Sequence, residues 1–501
     1  MSTAIRFPVA LVPLFACLFP LQARQVEISG NEPQYAGQTL VFYTTDNYIT
    51  NSEIALYECE VASDGDFRAV FELDATRLLY LYLGIFKARL YAEPDMSYVV
   101  RFPPRTEKTP EEQALIFFEE TPVYLHVVSA TGKDGNRLPA EQELNLRMFR
   151  FDEMFHPMYD RLAVDAMKRK PVKPDSMISS LTQRTPPANH PYFDPYATYR
   201  AGMLYYAAQR AGVKHISNAY FSGKPVLYDN EAYMELFRVT YRDYFMYFGR
   251  TKEGQAIYQV INARKDFNEL KRLLGKDGIL SGDSLLEMVI LQNIYDEFYS
   301  DRFSRSALLA LLDAAIEQTA IDRHRETGRQ IRSKITKLLR GYAPPTFSLY
   351  NQDSMLISPD TYKGKYVYLM FCTTQNYVCL SQYELLKEIH RIHGKWLRIV
   401  VIAVDEQFES MREFRRKSGY LWDYLHYARQ PGILKDYDVR IFPACFLIDP
   451  EGKLVLSPAP EAVDIERSLF VELNNRGLWH EYIQKGWIDN KKLIMNDNIV
   501  K

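Results

Sequence analysis

From residue 343 onward the sequence alternates between apolar runs of strand length and amphipathic stretches of helical period, and no other feature restricts the fold so tightly. Tyr366 to Phe371 (Tyr-Val-Tyr-Leu-Met-Phe) is apolar without interruption, the pattern of a strand buried on both faces. A polar turn and a helix from Leu380 to His390 follow. Leu397 to Val404 is a second buried strand, running into Asp405-Glu406 and another helix. Phe446-Leu447-Ile448 is a third strand, and Glu451-Gly452-Lys453 turns the chain into a fourth, Leu454 to Leu456. A last helix starts at Glu461. Strands alternating with helices imply a sheet covered on both faces. Upstream the segment is set off by Gly341-Tyr342-Ala343-Pro344-Pro345, where glycine ends a helix and two prolines prevent its continuation.

The whole chain has 501 residues, too many for one hydrophobic core. Residues 24–138 read as a β-sandwich. Thr39 to Tyr43 and Ile54 to Cys59 are strand-like runs, and Phe67, Ala69, Phe71 and Leu73 alternate after an Asp64-Gly65 turn. Tyr98, Val100 and Phe102 alternate after Glu93-Pro94-Asp95. After Pro139 the period lengthens: Leu144, Met148, Phe151 and Phe155 form a helical stripe. Residues 139–340 therefore read as an α-helical region, with Asp229 as N-cap of a helix through Tyr233, and with helices at Leu285 to Tyr299 and Ala307 to Leu339. The α/β domain occupies 341–480, and 481–501 form a C-terminal tail. A formal net charge of −2 argues against a nucleic-acid partner, because phosphate neutralisation needs a basic surface. No cofactor or metal site is expected. The helical region has no His-x-x-x-His or Cys-x-x-Cys. His390 and His393 lie three apart near a helix end, where they suit the helix dipole, and Asp405-Glu406 suit a helix cap.

At the N-terminus, Arg6 precedes an apolar run from Phe7 to Leu21, and a small residue, Ala23, stands before Arg24. This is the pattern of a secretory signal peptide spanning residues 1–23. The run is short and broken by Pro8, Pro13 and Pro20, unlike a membrane-spanning helix. A second reading makes Cys17, after Leu14-Phe15-Ala16, a lipoprotein anchor. Either way the mature chain is expected in the periplasm or cell envelope, with no transmembrane span. Four cysteines remain after such cleavage: Cys59, expected to serve packing, and Cys372, Cys379 and Cys445, grouped in the α/β domain.

The order of landmarks in that domain resembles the TlpA-like and peroxiredoxin-like branches of the thioredoxin-like superfamily. Ala343-Pro344-Pro345-Thr346-Phe347-Ser348-Leu349 is similar to their opening segment. Tyr362-Lys363-Gly364-Lys365, Val404-Asp405-Glu406, Phe442-Pro443 and Phe446-Leu447-Ile448-Asp449-Pro450-Glu451-Gly452-Lys453 follow in the family's order. The N-terminal layout is similar to the β-sandwich modules that precede such domains in envelope proteins of Gram-negative bacteria. The resemblance implies thiol-disulfide chemistry at Cys-x-x-Cys. Here the strand end reads Phe371-Cys372-Thr373-Thr374-Gln375-Asn376-Tyr377-Val378-Cys379, so Asn376 falls where the attacking cysteine belongs and Cys379 where the resolving one does. It also implies a cis peptide before Pro443, in a loop facing Asn376 that pairs with extended substrate backbone in working thioredoxins.

An asparagine amide can cap a helix but cannot attack a disulfide. Three readings of Cys379 follow. It is a buried core remnant, which leaves a redox-degenerate protein that binds another envelope protein or a peptide. It is a peroxidase thiol, since peroxiredoxins carry Thr-x-x-Cys in this register, with Arg440 a loose substitute for their activating arginine. Or it exchanges with Cys372 or Cys445, the first ending one strand and the second beginning another. The last two make the chain a single-cysteine thiol enzyme.

Overall fold

Nine strands in two sheets account for the early alternation. A computed structural model of the chain describes residues 24–486 apart from 110–111, 113–117, 171–173, 209–211, 406 and 429–430. The leader, Cys17 and residues 487–501 of the tail lie outside the described residues. The strands are β1 (Arg24–Asn31), β2 (Thr39–Asn47), β3 (Ser52–Glu60), β4 (Asp66–Leu73), β5 (Arg77–Leu83), β6 (Phe86–Ala92), β7 (Ser97–Arg101), β8 (Thr121–Tyr124) and β9 (His126–Thr131). One sheet has the order β4-β1-β7-β9 and the other β3-β2-β5-β6-β8. Val26, Ile28, Ala69 and Tyr98 of the first share one core with Phe42, Leu79, Leu81 and Leu90 of the second, which makes the pair a sandwich. Cys59 packs at its margin. The β5–β6 hairpin turns on Gly84, whose φ of +60° only glycine adopts freely.

The chain divides into two compact units. The first takes in residues up to 107, 120–242 and 277–286, and the second takes in 108–119, 243–276 and the chain from 287 onward. The helices of 139–340 are therefore shared between the two units. In the first unit, Leu144–Met167 places the stripe Leu144, Met148, Phe151 and Phe155 in the interior, as its spacing predicts. Glu231, at the start of the helix Glu231–Tyr241, accepts hydrogen bonds from Arg89 at 2.6 Å and from the Tyr91 hydroxyl at 2.8 Å. Arg200 approaches the same carboxylate at 3.2 Å and also pairs with Glu235, so two guanidinium groups meet at Glu231. The cap of this helix is Asn230, whose side chain accepts from the Tyr233 N–H, and not Asp229 as its sequence position predicts. Asp229 pairs with Arg77 at 2.6 Å instead.

In the second unit, the single helix expected from Ala307 to Leu339 is two, Arg305–Gln318 and Asp322–Thr336. The chain extends at Thr319, whose hydroxyl donates to Glu287 at 2.6 Å. Glu287 is almost fully buried and also receives Lys271 at 2.7 Å and His324 at 2.8 Å. These contacts hold its carboxyl down at about 2, against burial.

The domain from 341 opens with a small hairpin, β10 (Leu349–Tyr350) and β11 (Leu356–Ile357). Its main sheet contains β12 (Tyr366–Cys372), β13 (Leu397–Ala403), β14 (Asp423–His426), β15 (Ala444–Ile448) and β16 (Leu454–Leu456), in the order β14-β13-β12-β15-β16. The first three are parallel to one another, and β15 pairs antiparallel with β12 on one side and with β16 on the other. Two layers of core flank the sheet because side chains alternate along β12. Tyr366, Tyr368, Met370 and Cys372 face one layer, with the helices Tyr377–His393 and Ala462–Asn475. Val367, Leu369 and Phe371 face the other, with Ile433, Leu434 and Tyr437.

Candidate functional site

The site is built where β12 stops. Antiparallel pairing sets Phe371 opposite Ala444, so the last residue of β12 and the first of β15 lie at one end of the sheet, beside the start of the helix Tyr377–His393. The peptide between Phe442 and Pro443 is cis, and the loop bearing it leads directly into β15. Four residues connect β12 to the helix. The Thr373 hydroxyl accepts from the Asn376 N–H at 3.1 Å, and Thr374 donates both its N–H and its hydroxyl to Asp405 Oδ1 at 3.0 Å.

Asn376 is the N-cap. Its Oδ1 accepts from the N–H of Val378 at 2.8 Å and of Cys379 at 3.3 Å, satisfying two of the donors that a helix start leaves open. The side chain at the position where the resemblance expects an attacking cysteine is thus engaged by its own helix. Tyr377, next to it, is 83% exposed, whereas Cys379 is fully buried. Val378 and, across the sheet end, Ile441 are also exposed apolar side chains.

The structure brings Cys372, Cys379 and Cys445 into one core layer, all buried as free thiols. Even-numbered positions of β12 and odd-numbered ones of β15 face that layer, which is why the strand cysteines meet there. The neighbouring Cys372 thiol favours the Cys379 thiolate, as does the Thr373 backbone; burial and the charges of Asp405 and Glu461 oppose it. The net direction is downward for Cys379. Cys372 is held well above the ordinary thiol range by burial and by its neighbour, so one proton stays on the pair. Cys445 is pushed up to about 12, chiefly by burial.

Asp405 does not cap the helix that follows it. It is buried, its Oδ1 bound to Thr374 and its Oδ2 without a hydrogen-bond partner, and burial raises its pKa. The His426 ring spans the neighbouring backbone, with Nε2 2.8 Å from the Asp405 carbonyl and Nδ1 accepting from the Ala428 N–H at 3.0 Å. Sequence reasoning missed this use of Asp405; the polar Thr373-Thr374 pair between strand and helix was the available signal. Gln382 in the same layer bridges Glu461 and the Ala462 N–H at 2.7 and 2.8 Å. Arg440 does not join the thiols and pairs with Asp438 at 3.0 Å on the surface. His393 bonds Glu466 at 3.0 Å, and burial together with Arg398 lowers the His390 pKa. Among the described residues no group of three or more His, Cys, Asp or Glu is placed to hold a metal ion, and no helix is long and apolar enough to cross a membrane.

Comparison with known proteins follows the same division. Residues 341–457 match the AhpC/TSA family. The chain is 28% identical over 168 residues to the thiol-disulfide oxidoreductase ResA of Geobacillus kaustophilus, covering 33% of this chain and 92% of that protein. It is 30% identical over 117 residues to ResA of Bacillus subtilis, covering 23% of this chain and 64% of that one. Among solved structures, the thioredoxin domain of a thiol-disulfide oxidoreductase from Bacteroides vulgatus is 22% identical and gives a TM-score of 0.24, over 26% of this chain and 94% of that chain. The region from 341 is a TlpA-like, thioredoxin-like domain; the family match stops at 457.

Proposed function

We propose that this chain is a cell-envelope protein that uses a thioredoxin-like domain to hold an extended segment of another envelope protein, without ordinary dithiol turnover. One observation carries the reading: the exposed position from which an attacking thiol would act is Asn376, its amide tied into the helix cap, while the remaining thiol of the motif, Cys379, is fully buried. A disulfide substrate needs an accessible thiolate to attack it and a second thiol to release it. The end of the sheet still presents Tyr377, Val378 and Ile441 as exposed apolar side chains beside the Phe442-Pro443 loop. Such residues suit contact with alternate side chains of an extended polypeptide. Placement in the envelope rests on the leader pattern of residues 1–23 and on the likeness to thiol-disulfide oxidoreductases.

Turnover of a protein disulfide in the presence of a dithiol reductant tests this. The wild-type chain is expected to add nothing to the uncatalysed rate, and Asn376→Cys is expected to gain reductase activity by restoring Cys-x-x-Cys on a capped helix. Catalysis by the wild-type chain would overturn the proposal. For binding, Tyr377→Ser and Ile441→Ser are expected to abolish photo-cross-linking of an extended peptide to this face; unchanged labelling would remove that half of it.

A further inference from the structure

We propose that the first unit carries a binding site for a long-chain fatty acid, in the cleft between β9 and the start of the helix Leu144–Met167. The site lies outside the thioredoxin-like domain and uses neither a thiol nor the Phe442-Pro443 loop. The cleft has a volume of about 630 Å³, inside the roughly 300–1,000 Å³ that accommodates one small ligand. Every residue lining it falls within 124–149, so the first unit forms it alone. Its walls are chiefly apolar: Val127 and Val128 from β9, Leu138 from the loop that follows, and Leu146 and Phe149 from the helix. Val128 and Phe149 are 38% and 39% exposed there, apolar surface that gains by being covered.

The polar groups decide what the cleft accepts. Glu143 is buried, and its carboxylate already takes the N–H of Asn145 at 2.9 Å, the N–H of Leu146 at 2.6 Å and the Asn145 side-chain amide at 2.9 Å. Asn145 in turn bonds the Tyr91 N–H at 2.6 Å and the Tyr91 carbonyl at 2.9 Å. The Tyr124 hydroxyl donates to Asp152 at 2.6 Å. Arg137 differs from all of these. Its Nη2 donates to the Val128 carbonyl at 2.8 Å, which anchors the guanidinium at the cleft. Among the described residues no carboxylate stands within ion-pair distance of it. The rest of its fork of N–H donors is directed by that anchor and suits a carboxylate, which accepts two parallel N–H bonds. An apolar wall with one anchored cation is complementary to a ligand that has an aliphatic body and a single anionic end.

An extended peptide fits the same wall poorly. Strand addition needs a row of open backbone groups along a sheet edge. On the outward side of β9 the Val128 carbonyl is taken by Arg137 and the Ala130 carbonyl by the Leu138 N–H, each at 2.8 Å. A peptide laid there would leave N–H groups of its own unpaired against apolar side chains, and each of them costs free energy. An acyl chain brings no such groups. It covers Leu138, Leu146 and Phe149, and its carboxylate meets Arg137. A cationic amphiphile is disfavoured for a related reason. The negative charge of Glu143 is held by its N–H donors at the helix start, where the dipole already favours it, so it is not open to an ammonium group.

The experiment is isothermal titration of the full chain with dodecanoate, below the concentration at which it forms micelles. Dodecanol and dodecylamine serve as neutral and cationic probes of the same chain length. The expected result is one dodecanoate bound per chain, about tenfold tighter than dodecanol, the lower end of what a charge-assisted hydrogen bond contributes. Arg137→Gln is expected to remove that preference and leave dodecanol binding unchanged, and Arg137→Lys to keep part of it. Ala140→Trp, at an exposed residue of the lining, is expected to block dodecanoate and dodecanol alike. Four results overturn the inference: no heat from dodecanoate, binding of dodecanol or dodecylamine as tight as that of dodecanoate, binding that survives Ala140→Trp, or capture of phosphatidylglycerol vesicles in place of the free acid. The comparison of probes on the wild-type chain requires no variant to fold. None of these readouts involves disulfide turnover or labelling at Tyr377 and Ile441, so the two proposals fail separately.

Discussion

Replacing Asn376 by alanine removes the side-chain acceptor that caps the helix Tyr377–His393 and leaves two N–H groups to find water. The Val378 N–H, at 2.8 Å in the native cap, belongs to a half-exposed residue and is readily hydrated. The Cys379 N–H, at 3.3 Å, makes the longer bond and lies nearer the buried layer. Loss of an N-cap of this kind costs about 1 kcal/mol, within a range of roughly 0.5–2. For a cooperative unit of this size that is a fall in Tm of about 2–4 °C. Asn376→Asp keeps the acceptor and adds a negative charge where the helix dipole is positive, worth roughly 0.3–1 kcal/mol at low salt. It should melt at or above wild type, with a gain that shrinks as salt is added. The same charge lies three residues from Cys379 and disfavours its thiolate, so Asp should stabilise the fold and slow peroxide oxidation of Cys379. Calorimetry at low and high salt and peptide-mapped oxidation rates measure the two effects. An alanine variant as stable as wild type, or an aspartate variant less stable than alanine, would refute the role given to Asn376.

Glu287 provides a pH test. Its carboxyl is held at about 2, below the ordinary 4.5, by His324, Lys271 and Thr319. A depressed acid contributes stability above its unfolded value and loses it as pH falls toward the folded one. The unfolding free energy from urea titrations should therefore drop between about pH 5 and pH 2 by up to ~3 kcal/mol, at ~1.4 kcal/mol per pKa unit, with less of that dependence in Glu287→Gln. Glu231→Gln leaves Arg89 facing a neutral amide while Arg200 keeps Glu235, and denaturant unfolding should report a loss of up to about 3 kcal/mol. Gly84→Ala would place a Cβ 1.9 Å from the Thr106 carbonyl oxygen at a φ of +60°, so thermal melting should show more than about 2 kcal/mol of destabilisation.

Elements whose own residues dictate them were legible in the sequence. The run Tyr366 to Phe371 is apolar throughout because β12 is covered on both faces, and β4 alternates because its outward positions, such as Arg68 and Glu72, meet solvent. What stayed hidden depends on partners distant in sequence. The strand β14 begins with Asp423 and ends with His426, and its pairing with Val400 to Ala403 is what makes it a strand. No glycine or proline marks the break at Thr319; its bond to Glu287 does. Asp229 was the better cap by position, but Arg77, far upstream, engages it. At the site, the cysteines and Asn376 were readable from register alone. The inward turn of Asp405 was not, because it arises where a loop folds back over a strand end.

The chain passes between its two compact units five times, at 107/108, 119/120, 242/243, 276/277 and 286/287. Synthesis therefore cannot complete the first unit when the sandwich has emerged; its last segment arrives only with residue 286. Nor can a single cut release the thioredoxin-like domain with all the segments of its unit, since 108–119 and 243–276 lie upstream of it. A truncation starting at the glycine-proline boundary would discard native neighbours as well as a linker. During synthesis such interleaving postpones maturation until most of the sequence has emerged, and so ties the ripening of both halves to the arrival of the second.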